Sequence, residues 1–159
     1  MSKQLTATRA KADLPMLGWR EWLALPELGL AAVRAKVDTG ARTSSLHVEH
    51  AEVFEQDGIE MVRFVLDTGR ARIPPQTATA AVHDRRRVID SGGHATERIF
   101  IRTPVRMAES SWPIEINLTD RQSLLFPMLL GRSAIRGRYR VNPARSFLLG
   151  RFDFSESTP

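Results

Sequence analysis

Ala35-Lys36-Val37-Asp38-Thr39-Gly40-Ala41 is the stretch whose reading decides the fold. A carboxylate that activates water needs a sharp turn to present it at the base of a cleft. A glycine must follow closely, so that the backbone can approach the carboxylate and donate N–H groups to it. A neighbouring hydroxyl can lock the turn. Asp38, Thr39 and Gly40 meet these demands in order, and small Ala41 allows tight packing behind them. Thr43, Ser44 and Ser45 place further hydroxyls just beyond the turn. Three residues alone decide little, because turns favour these residue types. The chain has a second copy, Asp67-Thr68-Gly69, which lacks both the small residue after glycine and the hydroxyl-rich continuation. It reads as an ordinary turn between strands.

Two later segments fit around Asp38. Leu129-Leu130-Gly131-Arg132-Ser133-Ala134-Ile135 has the form of a strand that threads behind a catalytic turn, with a glycine leaving room for it and a brief helix after it. Residues 88–101 form a hairpin tipped by Ser91-Gly92-Gly93-His94, the shape of a flap over a cleft. The order is catalytic turn, flap, apolar-Gly strand.

The rest of the chain is strand-like. Residues 17–25 read as a strand, Pro26-Glu27-Leu28-Gly29 as a turn, and residues 30–37 as the strand that delivers Asp38. Residues 43–46 continue beyond the turn. Residues 48–54 and 61–66 form a hairpin around Gln56-Asp57-Gly58, since Asp-Gly is a strong hairpin signal. Pro74-Pro75 ends or edges the segment after it, because neither proline can donate to a ladder. Trp112-Pro113-Ile114-Glu115-Ile116-Asn117-Leu118 alternates with period two, as a half-buried strand does. Residues 124–130, 139–141 and 146–149 complete the strands. The predicted class is all-β, a closed barrel with one short helix near Leu-Leu-Gly-Arg. Residues 1–14 and 152–159 read as flexible ends around one folded domain, 15–151.

Composition narrows the chemistry. The 159 residues contain no cysteine, which removes disulfides, thiolate nucleophiles and cysteine-based zinc sites. There is no His-Glu-x-x-His zinc motif and no Gly-rich Lys-Ser/Thr phosphate loop. His47 and His50, three apart, fall on opposite faces of a strand and chelate poorly. No cofactor and no metal are expected. No apolar run approaches a membrane span and no signal segment opens the chain, so a cytoplasmic location is expected. The net charge of +5 is carried mostly by arginine and favours acidic partners.

With these residues in place, the chain resembles retropepsin-like aspartic proteases. More closely, it resembles a bacterial branch labelled ATP-dependent zinc protease and associated with ATP-grasp glutamate ligases. The carriers are Gly18-Trp19-Arg20-Glu21-Trp22, residues 35–46, Arg87-Val88 with Ser91-Gly92, Arg98, Leu118-Thr119-Asp120-Arg121 and Phe126-Pro127-Met128-Leu129-Leu130-Gly131-Arg132. The resemblance implies a homodimer, because one chain supplies one catalytic aspartate. Two Asp38 side chains at the twofold axis would share a proton and activate water against a peptide bond. Thr39 would brace the two turns, and Gly40 would contact the carboxylates. Ala41, Arg42, Ser91, Gly92, Gly93, His94, Gly131 and Arg132 would line the substrate site. Retroviral proteases carry an acidic residue where this chain has Arg42, which would attract acidic substrate groups, and the family's link with glutamate ligation implies a glutamate-rich or otherwise acidic peptide. Arg42 reads equally well as a solvated charge or an ion-pair partner of Asp120.

Two other classes are weighed against this one. The same fold can serve as a peptide-binding or regulatory module beside a peptide ligase. A basic barrel could bind nucleic acid through Arg85-Arg86-Arg87, but no aromatic residue is interleaved with that run, so nucleic acid is not the expected partner.

Overall fold

The computed structural model describes residues 13–67, 73–89, 92–120 and 125–150. Twelve strands, one short α-helix and a 3-10 turn (Pro26–Leu28) are found among them: β1 (Met16–Leu17), β2 (Arg20–Leu25), β3 (Leu30–Asp38), β4 (Ser44–His47), β5 (Glu49–Gln56), β6 (Ile59–Leu66), β7 (Gln76–Ala81), β8 (Asp84–Ile89), β9 (Ala95–Met107), β10 (Ser110–Thr119), β11 (Met128–Gly131), α1 (Arg132–Ile135) and β12 (Arg140–Val141). The chain is all-β, as expected.

The main sheet runs β10-β4-β11-β3-β2-β9-β8, and β9 also pairs with β10, so six strands close on themselves in a ring. The inward faces carry Leu23, Leu25, Leu46, Ile101, Met107, Ile116, Met128 and Leu130, all fully buried. Each such side chain contributes about 1.5–3 kcal/mol of hydrophobic stabilisation. β11 lies between β3 and β4, parallel to β3 and antiparallel to β4. A strand from late in the chain is thus inserted between the two strands that flank the Asp38 turn.

A second sheet, β5-β6-β7, comes after β4. Its first turn is the hairpin expected at Asp57-Gly58. Asp57 at φ 53° and Gly58 at φ 77° are both left-handed, the backbone that matches strand twist in a two-residue turn. β7 is not evident in the sequence. Its Gln-Thr-Ala-Thr-Ala-Ala stretch has weak β propensity, and pairing with β6 specifies it instead. The decoy turn begins at exposed Asp67, and its Thr68 and Gly69 lie outside the described residues.

The strand expected at residues 146–149 is not formed. Phe147 takes a left-handed φ of 54°, and the next two N–H groups, of Leu148 and Leu149, donate to the buried carboxylate of Glu21 at 3.0 and 3.1 Å. Gly18 N–H gives Glu21 a third hydrogen bond at 2.6 Å. This segment is strapped across β2 by a side chain rather than by a strand ladder. Phe147 stacks on Trp22, and Arg20 lies over the rings of both Trp19 and Phe147. The strand expected over 17–25 is broken at Gly18, where a side chain would meet the Arg145 carbonyl oxygen at 2.3 Å. Leu14, expected in the flexible N-terminal segment, is buried, and its carbonyl accepts a hydrogen bond from Arg140 Nε at 2.9 Å.

Candidate active site

Asp38 is the last residue of β3, in register with Gly131 of β11. The chain then turns sharply, and one carboxylate oxygen accepts hydrogen bonds from the N–H groups of Gly40 at 3.1 Å and Ala41 at 3.2 Å. These two donors fix the carboxylate rotamer and leave the other oxygen free of them. A side chain at Gly40 would come 3.3 Å from that bonded oxygen, a contact tight enough that the carboxylate would have to give way. Thr39 and Gly40 are exposed, and Asp38 is half-buried.

The turn is held from behind by the segment that enters α1. Arg132 N–H donates to the Ala41 carbonyl at 2.7 Å and Ser133 N–H to the Arg42 carbonyl at 3.0 Å. The Arg132 guanidinium reaches over the turn to the Thr39 carbonyl at 3.1 Å. Gly131 N–H donates to Ser44 Oγ at 3.0 Å, and Ser44 is fully buried. The close approach has a steric condition: a Cβ on Gly131 would lie 2.4 Å from the Thr43 carbonyl carbon and 2.8 Å from the Ser44 nitrogen. Both are backbone atoms that cannot step aside. The glycine of Leu-Leu-Gly-Arg is therefore required by the backbone just after the Asp38 turn.

A second layer supports β4, and its centre is not legible in the sequence. Period two places Asn117 on the solvent side of its strand, yet it is 5% exposed. Its Nδ2 donates to the Ser44 carbonyl and to Ser45 Oγ, both at 2.9 Å. Its Oδ1 accepts from Thr119 Oγ1 at 3.0 Å and from Arg98 Nη1 at 3.3 Å. The amide is saturated, as a buried polar group should be. Nothing in a period-two pattern reports this, because the burying partners come from β4 and β9.

The structure thus brings Asp38, Thr39, Gly40, Ala41, Arg42, Gly131 and Arg132 into one hydrogen-bonded cluster. Gly92, Gly93 and His94 lie outside that cluster, exposed at the tip of the β8–β9 hairpin, where Gly93 has φ 80°. Ser91 lies outside the described residues. Arg42 is exposed, and no ion pair joins it to Asp120. Two of the three consecutive arginines are neutralised: Arg85 by Glu60 and Glu97, Arg86 by Asp84 and Glu115. The Arg86 fork holds the Glu115 carboxyl below its usual range, and Arg86 with the Arg85 amide does the same for Asp84. Asp38 lines neither the cavity of about 470 Å³ between β9 and the end of β10 nor the one of about 200 Å³ beside α1.

Residues 16–151 match the model of the RimB-like family, described as retropepsin-like aspartic endopeptidase RimB. The chain belongs to this family. Curated relatives of the RimB-like chain include a probable alpha-L-glutamate ligase from Desulfotalea psychrophila. It is 38% identical over 138 residues, which cover 85% of this chain and 29% of the relative. A second, from Shewanella pealeana, carries the same description and is 37% identical, covering 85% of this chain and 30% of its own length. The chain thus spans under a third of these relatives. Among solved structures, the Legionella pneumophila protein Lpg0085, of unknown function, superposes with a TM-score of 0.72 at 26% identity. The match covers 85% of this chain and 98% of that one.

Proposed function

We propose that this chain is one half of an aspartic endopeptidase that cleaves acidic peptides as a homodimer. The observation that carries the reading is the pinned Asp38 carboxylate, one per chain, on a turn bolted to Gly131 and Arg132. A lone carboxylate cannot both activate water and protonate the carbonyl oxygen of the scissile bond. Two copies around a twofold axis can. Carboxylates about 3 Å apart do not both ionise, so the pair holds one proton and titrates as a unit. The ionised member takes a proton from water as the oxygen attacks the peptide carbon. The protonated member donates to the carbonyl oxygen. Thr39, at the exposed crest of the turn, faces its symmetry mate, and the hairpin tip at 92–94 covers the substrate.

The substrate class is supported by charge and by relatives. Arg42 stands beside the cluster without a carboxylate partner among the described residues, Arg132 lies over it, and the net charge is +5. The relatives named as glutamate ligases are more than three times this chain's matched length, so the matched region is joined there to a larger remainder. A peptidase that works beside such a ligase, in the cytoplasm, on the glutamate peptides it makes, fits both observations.

The test is a pair of substitutions, Asp38→Asn and Asp67→Asn, assayed on an acidic peptide library across pH. Loss of cleavage with Asp38→Asn alone is expected. A confirmed wild-type dimer that cleaves nothing supports the second reading, a peptide-binding module. That reading draws on the absence of Asp38 from both cavities of the single chain.

A further inference from the structure

Arg102 of β9 stands directly opposite Glu115 of β10, the arrangement in which a cross-strand ion pair forms. That pair is not made. Both Glu115 oxygens are taken: Arg86 Nη1 and Nη2 donate to them at 3.0 and 3.1 Å, and His83 Nε2 lies 3.3 Å from one. Arg102 is exposed, with no carboxylate or hydrogen-bond partner among the described residues. Arg98, four residues earlier, bonds the neutral Asn117 and has no carboxylate partner among the described residues. Arg106, four residues later, is exposed and likewise has no carboxylate among them. Strand residues two or four apart share a face, so these three arginines form a row with a spacing of about 13 Å.

The row borders two hollows. Arg98 lines the cavity of about 470 Å³ together with Leu118 and Thr119. Arg102 lines the one of about 200 Å³ together with Ser133. Acidic groups at these hollows are Glu97, which Arg85 bonds at 3.4 Å, Glu115, already saturated, and exposed Asp120.

We propose that this outward face of β9 is an exosite for an extended acidic peptide, with Arg98, Arg102 and Arg106 each meeting one carboxylate. An extended peptide has the pitch of a strand, so its residues four apart fall in step with the row. Nucleic acid is the poorer occupant. Phe100, the aromatic ring on this face, is buried beneath the Arg86 guanidinium at 4.4 Å, leaving no open platform for base stacking. Acidic peptide as the ligand class rests on the proposed substrate, but the exosite is tested by binding and needs no cleavage.

The experiment is fluorescence polarisation with a labelled decaglutamate peptide, on the full chain carrying Asp38→Asn so that the peptide stays intact. Adding Arg102→Gln with Arg106→Gln is expected to weaken binding about tenfold or more, as lost charge-assisted contacts do. Both positions are exposed and unbonded among the described residues, so the fold should be unaffected. Arg98→Gln on its own is expected to weaken binding as well. Unchanged affinity in the double variant overturns the exosite. Tighter binding of a ten-nucleotide single strand through the same arginines overturns the ligand class. In an otherwise wild-type chain, the double variant should cleave a four-residue acidic peptide at the wild-type rate, and an equal loss there also overturns the exosite. Binding that depends on Arg102, together with a chain retaining Asp38 that cleaves nothing as a confirmed dimer, would uphold the exosite and reject the peptidase reading.

Discussion

Gly131 and Thr43 are packed backbone to backbone, with the space for a Gly131 side chain already occupied by the Thr43 carbonyl. The Asp38 turn and the late strand β11 can therefore be built only together. Gly131→Ala should destabilise the fold by about 1–3 kcal/mol, the range for forced overpacking. Urea unfolding measures it directly, and a neutral result would show that the turn can give way.

Ser44 is the polar counterpart of that contact. Its hydroxyl is the partner of the Gly131 amide in a buried setting. Ser44→Ala leaves that amide unsatisfied and should cost about 1–3 kcal/mol. Cleavage should fall with it, because the same strand positions Asp38. Ser44→Thr retains the hydroxyl and should recover part of the loss. Equal stability of Ser44→Ala and wild type would show that the hydroxyl does not hold Gly131.

How much of this is legible in the sequence differs by residue. Asp38, Gly40 and Gly131 are readable because their demands are local: a turn, a close amide, a missing side chain. The Asp57-Gly58 hairpin is readable for the same reason. Asn117 and Glu21 are not. Period two marks Asn117 as exposed and gives no hint of the amides that Glu21 meets, and each is buried by partners from distant segments. The strand expected at 146–149 fails for a related reason. Its amides have a better acceptor in Glu21, more than a hundred residues away, than in any neighbouring strand.

Thr103 offers a prediction of opposite sign. Its hydroxyl is buried in β9 without a hydrogen-bond partner among the described residues. Thr103→Val replaces that hydroxyl with a methyl group of similar shape and should stabilise the chain by up to about 1–3 kcal/mol, the cost of an unmade buried bond. Thermal unfolding decides the matter. A clear drop in Tm would mean that the hydroxyl has a partner, such as water.

The Arg86 cluster sets an acid limit. Arg86 holds the carboxyls of Glu115 and Asp84 below their usual range. A carboxyl whose pKa is depressed in the folded state adds stability above its unfolded pKa, and that stability is lost as pH falls through the folded value. Stability should therefore hold at neutral pH and decline below about pH 4. Glu115→Gln should flatten that decline in unfolding curves measured from pH 7 to pH 2. An unchanged slope would show that Glu115 contributes nothing to it.

The central claim is that each chain carries half of a site, and subunit mixing tests it most directly. A fixed amount of wild-type chain is exchanged with increasing Asp38→Asn chain, and cleavage of an acidic peptide is measured. If both carboxylates are needed, random pairing leaves about one dimer in four fully wild-type at equal proportions. Activity per wild-type chain should then halve, and fall further with excess variant. Activity that stays constant however much Asp38→Asn chain is added would contradict the claim, because each wild-type chain would then be catalysing alone.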